Sequence, residues 1–188
     1  GYRLVRNLFY SKYKPSFFRS YFSPEYHTFF GYFDICPIDP SEKLILAGRV
    51  LLSKPENMEI GFYSIEDKES IFHQIGKTKT WCWQMGSRLQ WHPCNDRHVI
   101  FNNLSNGSYG TLIKNIEGKT ISQLNFPIYA LENKGTKFLS LNFSRLERLR
   151  PGYGYNNLID ETKNVFEPKN DGIFQGDLRD NHFNLICS

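Results

Sequence analysis

From residue 28 onward, short runs rich in Phe, Ile, Val, Tyr and Leu are separated by Gly, Pro, Asn and Asp, the pattern of successive β-hairpins. The runs fall into groups of four. The first group reads 29–35, 43–51, 59–65 and 70–76, and the second 88–91, 98–102, 110–115 and 120–125. A third opens at 128–131 and 137–143, breaks into a long loop bearing Gly and Tyr, and resumes at 172–174 and 183–187. The segments CPIDPSEKLILAG (36–48), WHPCNDRHVIFNN (91–103) and LENKGTKFLSLNF (131–143) each set a polar turn before an apolar strand, so the groups read as repeats. Four-stranded units of this size cannot close a core alone and are how the blades of a β-propeller are built. The expectation is an all-β chain of about three four-stranded antiparallel blades, a partial β-propeller. Three blades do not make a ring, so either the chain is part of a longer protein or the third group joins an open, sandwich-like stack. An ordinary β-sandwich without repeats is the alternative.

Residues 2–26 break this pattern, mixing Arg, Lys, aromatics and two prolines without helical or alternating periodicity. We read 1–26 as an arm packed on a domain spanning 27–188. Its aromatic and basic residues would also suit a polyanion or a membrane surface. The longest apolar runs, 44–47 and 50–52, are broken by Gly48 and Arg49 and fall far short of the roughly 20 residues of a membrane span, so no transmembrane segment is expected. The chain opens on Gly1 rather than Met and shows no apolar signal core, leaving a secretory signal absent or already removed. A cytoplasmic location is the default expectation.

Composition supports a folded core, since 188 residues carry 16 Phe, 11 Tyr and 3 Trp, with 40% hydrophobic and 22% charged positions. The net charge of +4 is spread along the chain and does not form a nucleic-acid-binding arm, so no nucleic-acid partner is expected. Cys36, Cys82, Cys94 and Cys187 form no CxxC pair, which removes the zinc-ribbon and thioredoxin-type readings.

Candidate chemistry concentrates in three places. The densest is TWCWQMGSRLQWH (80–92), where the chain passes from an outer strand of one blade to the inner strand of the next. Trp83 and its neighbour Trp81 offer flat faces for sugar rings or bases, and Gln84 and Arg88 offer directional donors for hydroxyls and carboxylates. The corresponding opening of the first group, HTFFGYFD (27–34), brings His27 and Asp34 toward Gln84 and Arg88. The third is GDLRDNHFNL (176–185), preceded by the loop RPGYGYNN (150–157) with its exposed Tyr153 and Tyr155. Strand alternation there sets Asp180 and His182 on one face as an acid–base pair; alternatively, Asp180 and Asn181 make a hairpin bend. His27, His92 and His182 are candidate bases or metal ligands, though none has a closely spaced histidine partner. No GxSxG, HExxH, kinase or EF-hand motif is present.

Together HTFFGYFD, WCWQMGSRLQW (81–91), the stretch from SLNFSRL to RPGYGY (140–155) and GDLRDNHFNL resemble a poorly characterised bacterial propeller-like family associated with surface-polysaccharide loci. That resemblance implies a longer ring of which this chain is the N-terminal portion. More distantly the chain is similar to TolB-type propellers and to oligogalacturonate lyases, whose propeller holds a metal through His and Gln. His27 and Gln84 match those residue types, but the closely spaced histidine ligands of the lyases have no counterpart here.

The leading expectation is a carbohydrate-related protein that binds an acidic or hydroxyl-rich glycan through His27, Trp83, Gln84, Arg88, Tyr153, Tyr155, Asp180 and His182, without a required cofactor. An alternative is a metal-assisted polysaccharide lyase or glycan hydrolase, with His27 or His182 as base and Arg88 neutralising a uronate. A protein-interaction scaffold is the third reading.

Overall fold

The computed structural model describes residues 19–21 and 23–188. Most of the arm expected over residues 1–26 lies outside the described residues. The rest of the chain is all-β apart from one short helix, with twelve strands in three sheets. The first sheet comprises β1 (Tyr26–Phe29), β2 (Leu44–Leu51), β3 (Met58–Ser64) and β4 (His73–Thr78). The second comprises β5 (Gln90–His92), β6 (Asn95–Ser105), β7 (Ser108–Asn115) and β8 (Thr120–Leu124). The third comprises β9 (Ala130–Leu131), β10 (Lys137–Ser140), β11 (Ile173–Asp177) and β12 (Phe183–Cys187), with helix α1 (Phe143–Leu149) between β10 and β11. Each sheet is an antiparallel meander in chain order, so β1, β5 and β9 form one set of edges and β4, β8 and β12 the other.

The apolar pattern explains the stacking. Leu46 and Val50 of β2, Met58, Ile60 and Phe62 of β3, and Ile75 of β4 pack against Val99 and Phe101 of β6. The intervening Ile100 points the other way and joins Ile113, Leu124, Phe126, Ile128, Phe138 and Leu178, the core between the second and third sheets. Because strand side chains alternate between faces, the continuous run Val99-Ile100-Phe101 requires both faces of β6 to be covered.

A polar hub crosses that second interface. Asn102 on β6 donates through Nδ2 to the Ile128 carbonyl (2.9 Å) and the Tyr155 hydroxyl (3.0 Å), and its Oδ1 accepts from the Ile128 amide (2.8 Å). The Thr111 hydroxyl lies 3.1 Å from the same Oδ1 and donates to the Phe126 carbonyl at 2.8 Å. Every polar atom of the Asn102 amide is thereby satisfied in a fully buried position.

Two local expectations are corrected. The first strand ends at Phe29, opposite Gly48, rather than running over 29–35. Residues beyond it leave the sheet at Gly31 (φ 146°), and Asp34 reaches across to Arg88. The segment expected to continue as strand to residue 143 and then as loop instead folds into α1. Asn142 caps it by accepting from the Arg145 amide at 3.0 Å. Arg145 and Arg148, projecting from its turns, bind Asp171 and Asp160 of the following loop.

Candidate functional site

The β4–β5 connection carries the densest chemistry. Cys82 and Gly86 exchange backbone hydrogen bonds (3.1 and 2.9 Å), closing a turn that needs the positive φ of Gly86 (58°). Cys82 points inward and is buried, while Trp81 is half-buried against the first core and Trp83 is exposed. Their rings meet edge to face at 4.7 Å, and Phe29 supports both at 6.0 and 5.4 Å. His27 meets Trp83 edge to face at 5.3 Å. Trp83 stays 53% exposed.

Opposite this aromatic wall lies the loop that follows α1. Glu147 accepts through Oε2 from the amides of Gly152 (2.8 Å) and Gly154 (3.1 Å), folding the PGYGY segment back on the helix. A Cβ at Gly154 would stand 2.1 Å from the Phe143 carbonyl oxygen and 2.3 Å from the Glu147 amide, so only glycine permits this approach. The buried ring of Tyr155 stacks on Phe143 at 4.4 Å, and the Tyr109 hydroxyl donates to the Tyr155 carbonyl at 3.0 Å. Asn157 Nδ2 donates to the Lys79 carbonyl at 3.1 Å and joins the two walls.

Between the walls and the β2–β3 hairpin opens a cleft of about 550 Å³. Trp81, Trp83, Lys79, Glu56, Glu147 and Asn156 are among its lining residues. Burial pushes the Cys82 thiol at its base above the ordinary thiol range, and the Glu147 charge adds to that rise.

The residues expected to form the site are distributed differently. His27, Trp83 and Gln84 lie at or beside the cleft, Gln84 against Gly152. Tyr153 packs on Tyr32 and under the Arg150 guanidinium, 3.9 Å from the ring centroid. Arg88, expected to meet a ligand, is 2% exposed. Its two terminal nitrogens donate to Asp34 (3.2 and 2.8 Å), and its guanidinium lies 4.6 Å from the Tyr129 ring centroid. The expected approach of Asp34 to Arg88 is therefore present, as an internal tie rather than a ligand-facing cluster. Tyr155, also expected to meet a ligand, has no exposed surface; its hydroxyl serves the Asn102 hub, and burial pushes its pKa far above the ordinary phenol range. Asp180 and His182 occupy the β11–β12 turn, where Asp180 accepts from the His182 amide at 3.0 Å, the hairpin-bend alternative. They share a shallow indentation with Lys137 and Asn184 on the third sheet, apart from the cleft. His92 stays beside His98, and burial together with that neighbour lowers its pKa.

The His and Gln donors implied by the distant lyase resemblance do not fit a metal. His27 packs its ring against Trp83 and Phe29. Among the described residues no group of three or more His, Cys, Asp or Glu side chains is arranged to hold a metal ion. Nor is any helix among them long and apolar enough to cross a membrane.

The sequence reading missed Glu147, Glu56, Lys79 and Asn156. One signal was present for Glu147: a carboxylate five and seven residues before the glycines of PGYGY can reach back to their amides.

No family model matches the chain, and no curated protein matches it. Among solved structures, it is similar to the AtxE2 isopeptidase, an S527A variant with Astexin3-dC4 bound, with a TM-score of 0.48 and 11% identity. That match covers 87% of this chain, which spans 30% of the isopeptidase chain.

Proposed function

We propose that the protein binds a hydroxyl-rich glycan in the cleft between the β4–β5 connection and the PGYGY loop, and that its three meander sheets are consecutive blades of a partial β-propeller. The carrying observation is the exposed indole of Trp83, braced by Trp81, Phe29 and His27 at the rim of a cleft of about 550 Å³ that also bears amide and charged side chains. An indole braced by neighbouring rings presents a rigid apolar surface to a sugar ring at little entropic cost, while amides and charges orient the hydroxyls. The propeller reading is supported by the chain-order meanders and by the middle sheet packed on both faces. The sequence resemblance supports assigning the glycan to bacterial surface-polysaccharide metabolism.

The lyase alternative gains less support, because Arg88 is bonded to Asp34 and His182 belongs to another sheet's turn. The scaffold reading is favoured by the loop residues Val165 and Phe166, the latter 94% exposed. A protein partner that is retained by the full chain and lost on Phe166→Ser would select it.

The test is titration of the full chain with oligosaccharides, followed by tryptophan fluorescence. Trp83→Ala should weaken binding by about tenfold, the loss expected of one central aromatic contact. Equal affinity of parent and variant would remove this cleft as the site.

A further inference from the structure

The charge balance of the cleft separates classes of glycan. Its lining holds Lys79 against Glu56 and Glu147, one positive charge facing two negative. None of these three is in a salt bridge among the described residues. Glu147 gives Oε2 to the two glycine amides, and its Oε1 has no partner among the described residues. Neither arginine nearby lines the cleft: Arg88 is sealed against Asp34 and Tyr129, and Arg150 is exposed and lies over Tyr153. A carboxylate-bearing sugar entering the cleft would meet net repulsion from the lining, which holds no guanidinium to offset it. An ammonium would meet two carboxylates and the exposed indole of Trp83, the pairing that favours a cation over an indole.

Resting on the glycan-binding reading of this cleft, we infer that its ligand is a glycan bearing free amino sugars, the ammonium met by Glu147 and Glu56 while the ring stacks on Trp83. Lys79 then faces the hydroxyl oxygens. Glu147 has two roles in this arrangement, since the same carboxylate that folds the PGYGY loop supplies charge to the cleft.

The experiment compares hexamers of glucosamine, N-acetylglucosamine and galacturonate by calorimetric titration of the full chain at low ionic strength. The glucosamine hexamer should bind tightest and the galacturonate hexamer weakest, each carboxylate contributing about fivefold. In the double variant Glu56→Gln with Glu147→Gln, the amide oxygen at 147 still accepts from the glycine amides while the charge balance turns positive. The ratio of glucosamine to galacturonate affinity should then fall by at least about tenfold. Glu56→Gln alone changes an exposed hairpin residue, and a smaller fall in the same direction is expected of it. Galacturonate binding tightest, N-acetylglucosamine binding as tightly as glucosamine, or an unchanged ratio in the variants would each overturn this inference and leave glycan binding standing. Failure of all three hexamers to bind would overturn both.

Discussion

Arg88 shows how one residue can carry chemistry by type and structure by position. Its backbone is left-handed (φ 55°), its Nε is buried without a partner, and its remaining nitrogens hold Asp34. Asp34 is exposed enough to be solvated alone, so removing the arginine strands no buried charge; what is lost is packing and the tie to residues 30–36. Arg88→Ala should therefore destabilise the fold by about 2–4 kcal/mol, seen as a lower urea midpoint, and any loss of ligand affinity should track the unfolded fraction. A variant that keeps the parent's midpoint yet loses affinity would return Arg88 to the ligand. Asn102 is the sharper case, because truncation leaves the Ile128 amide and carbonyl without their partner beneath two sheets. Asn102→Ala should cost at least about 2 kcal/mol, read from the same denaturation curves, and an unaltered midpoint would mean that water fills the hub.

The connection from α1 to β11 is held by charge as well as by the buried packing of Tyr155. Arg148 Nε donates to Asp160 at 2.7 Å, and Arg145 reaches Asp171 at 3.3 Å. Burial alone would raise the Asp160 pKa, but the Arg148 guanidinium and the hydroxyl and amide of Thr162 outweigh it and hold the carboxyl below its usual range. Asp39 behaves alike: burial is outweighed by Ser41 and by the amides of Leu44 and Lys43. A carboxyl whose folded pKa is depressed stabilises the fold above its unfolded value, near 3.9 for Asp, and loses that contribution as pH falls through the folded value. The melting temperature should accordingly hold level above about pH 5 and drop below about pH 4. Asp160→Asn should lower the plateau and shallow that drop; an identical acid limb in parent and variant would exclude Asp160 from it. These ties also mark what the sequence could disclose. The hairpin rhythm gave the sheets, since alternation and turn residues are local signals. Seven residues of helix beginning at Phe143 carry too little periodicity to outweigh the strand before them. The cleft joins hairpin, connection and loop residues nearly a hundred positions apart, so the aromatics of 81–83 were legible by type while Glu56 and Glu147 looked like ordinary surface carboxylates.

Stacking three meanders leaves their burial unequal, and stability should follow it. The central strands of the second sheet have cores on both sides, with Val99, Ile100 and Phe101 fully buried. The first sheet packs one face on the second, and its other face carries Tyr63, which Tyr21 covers at a ring distance of 4.8 Å. In the third sheet every residue of β12 is exposed, and Leu139, Ile173 and Ile186 stand in solvent. Opening β12 breaks few buried contacts, whereas opening β6 requires both interfaces to part, so their amides should exchange through different motions. Native-state hydrogen exchange read by mass spectrometry should find β6 and β7 slowest, approaching the global unfolding free energy, and β12 fastest among the strands. Protection of β12 equal to that of β6 would mean that its outer face is covered in solution. Such cover is what a further blade, or a second copy of the chain, would supply, and dilution would distinguish them: protection from a second copy falls with concentration, and protection within one chain does not.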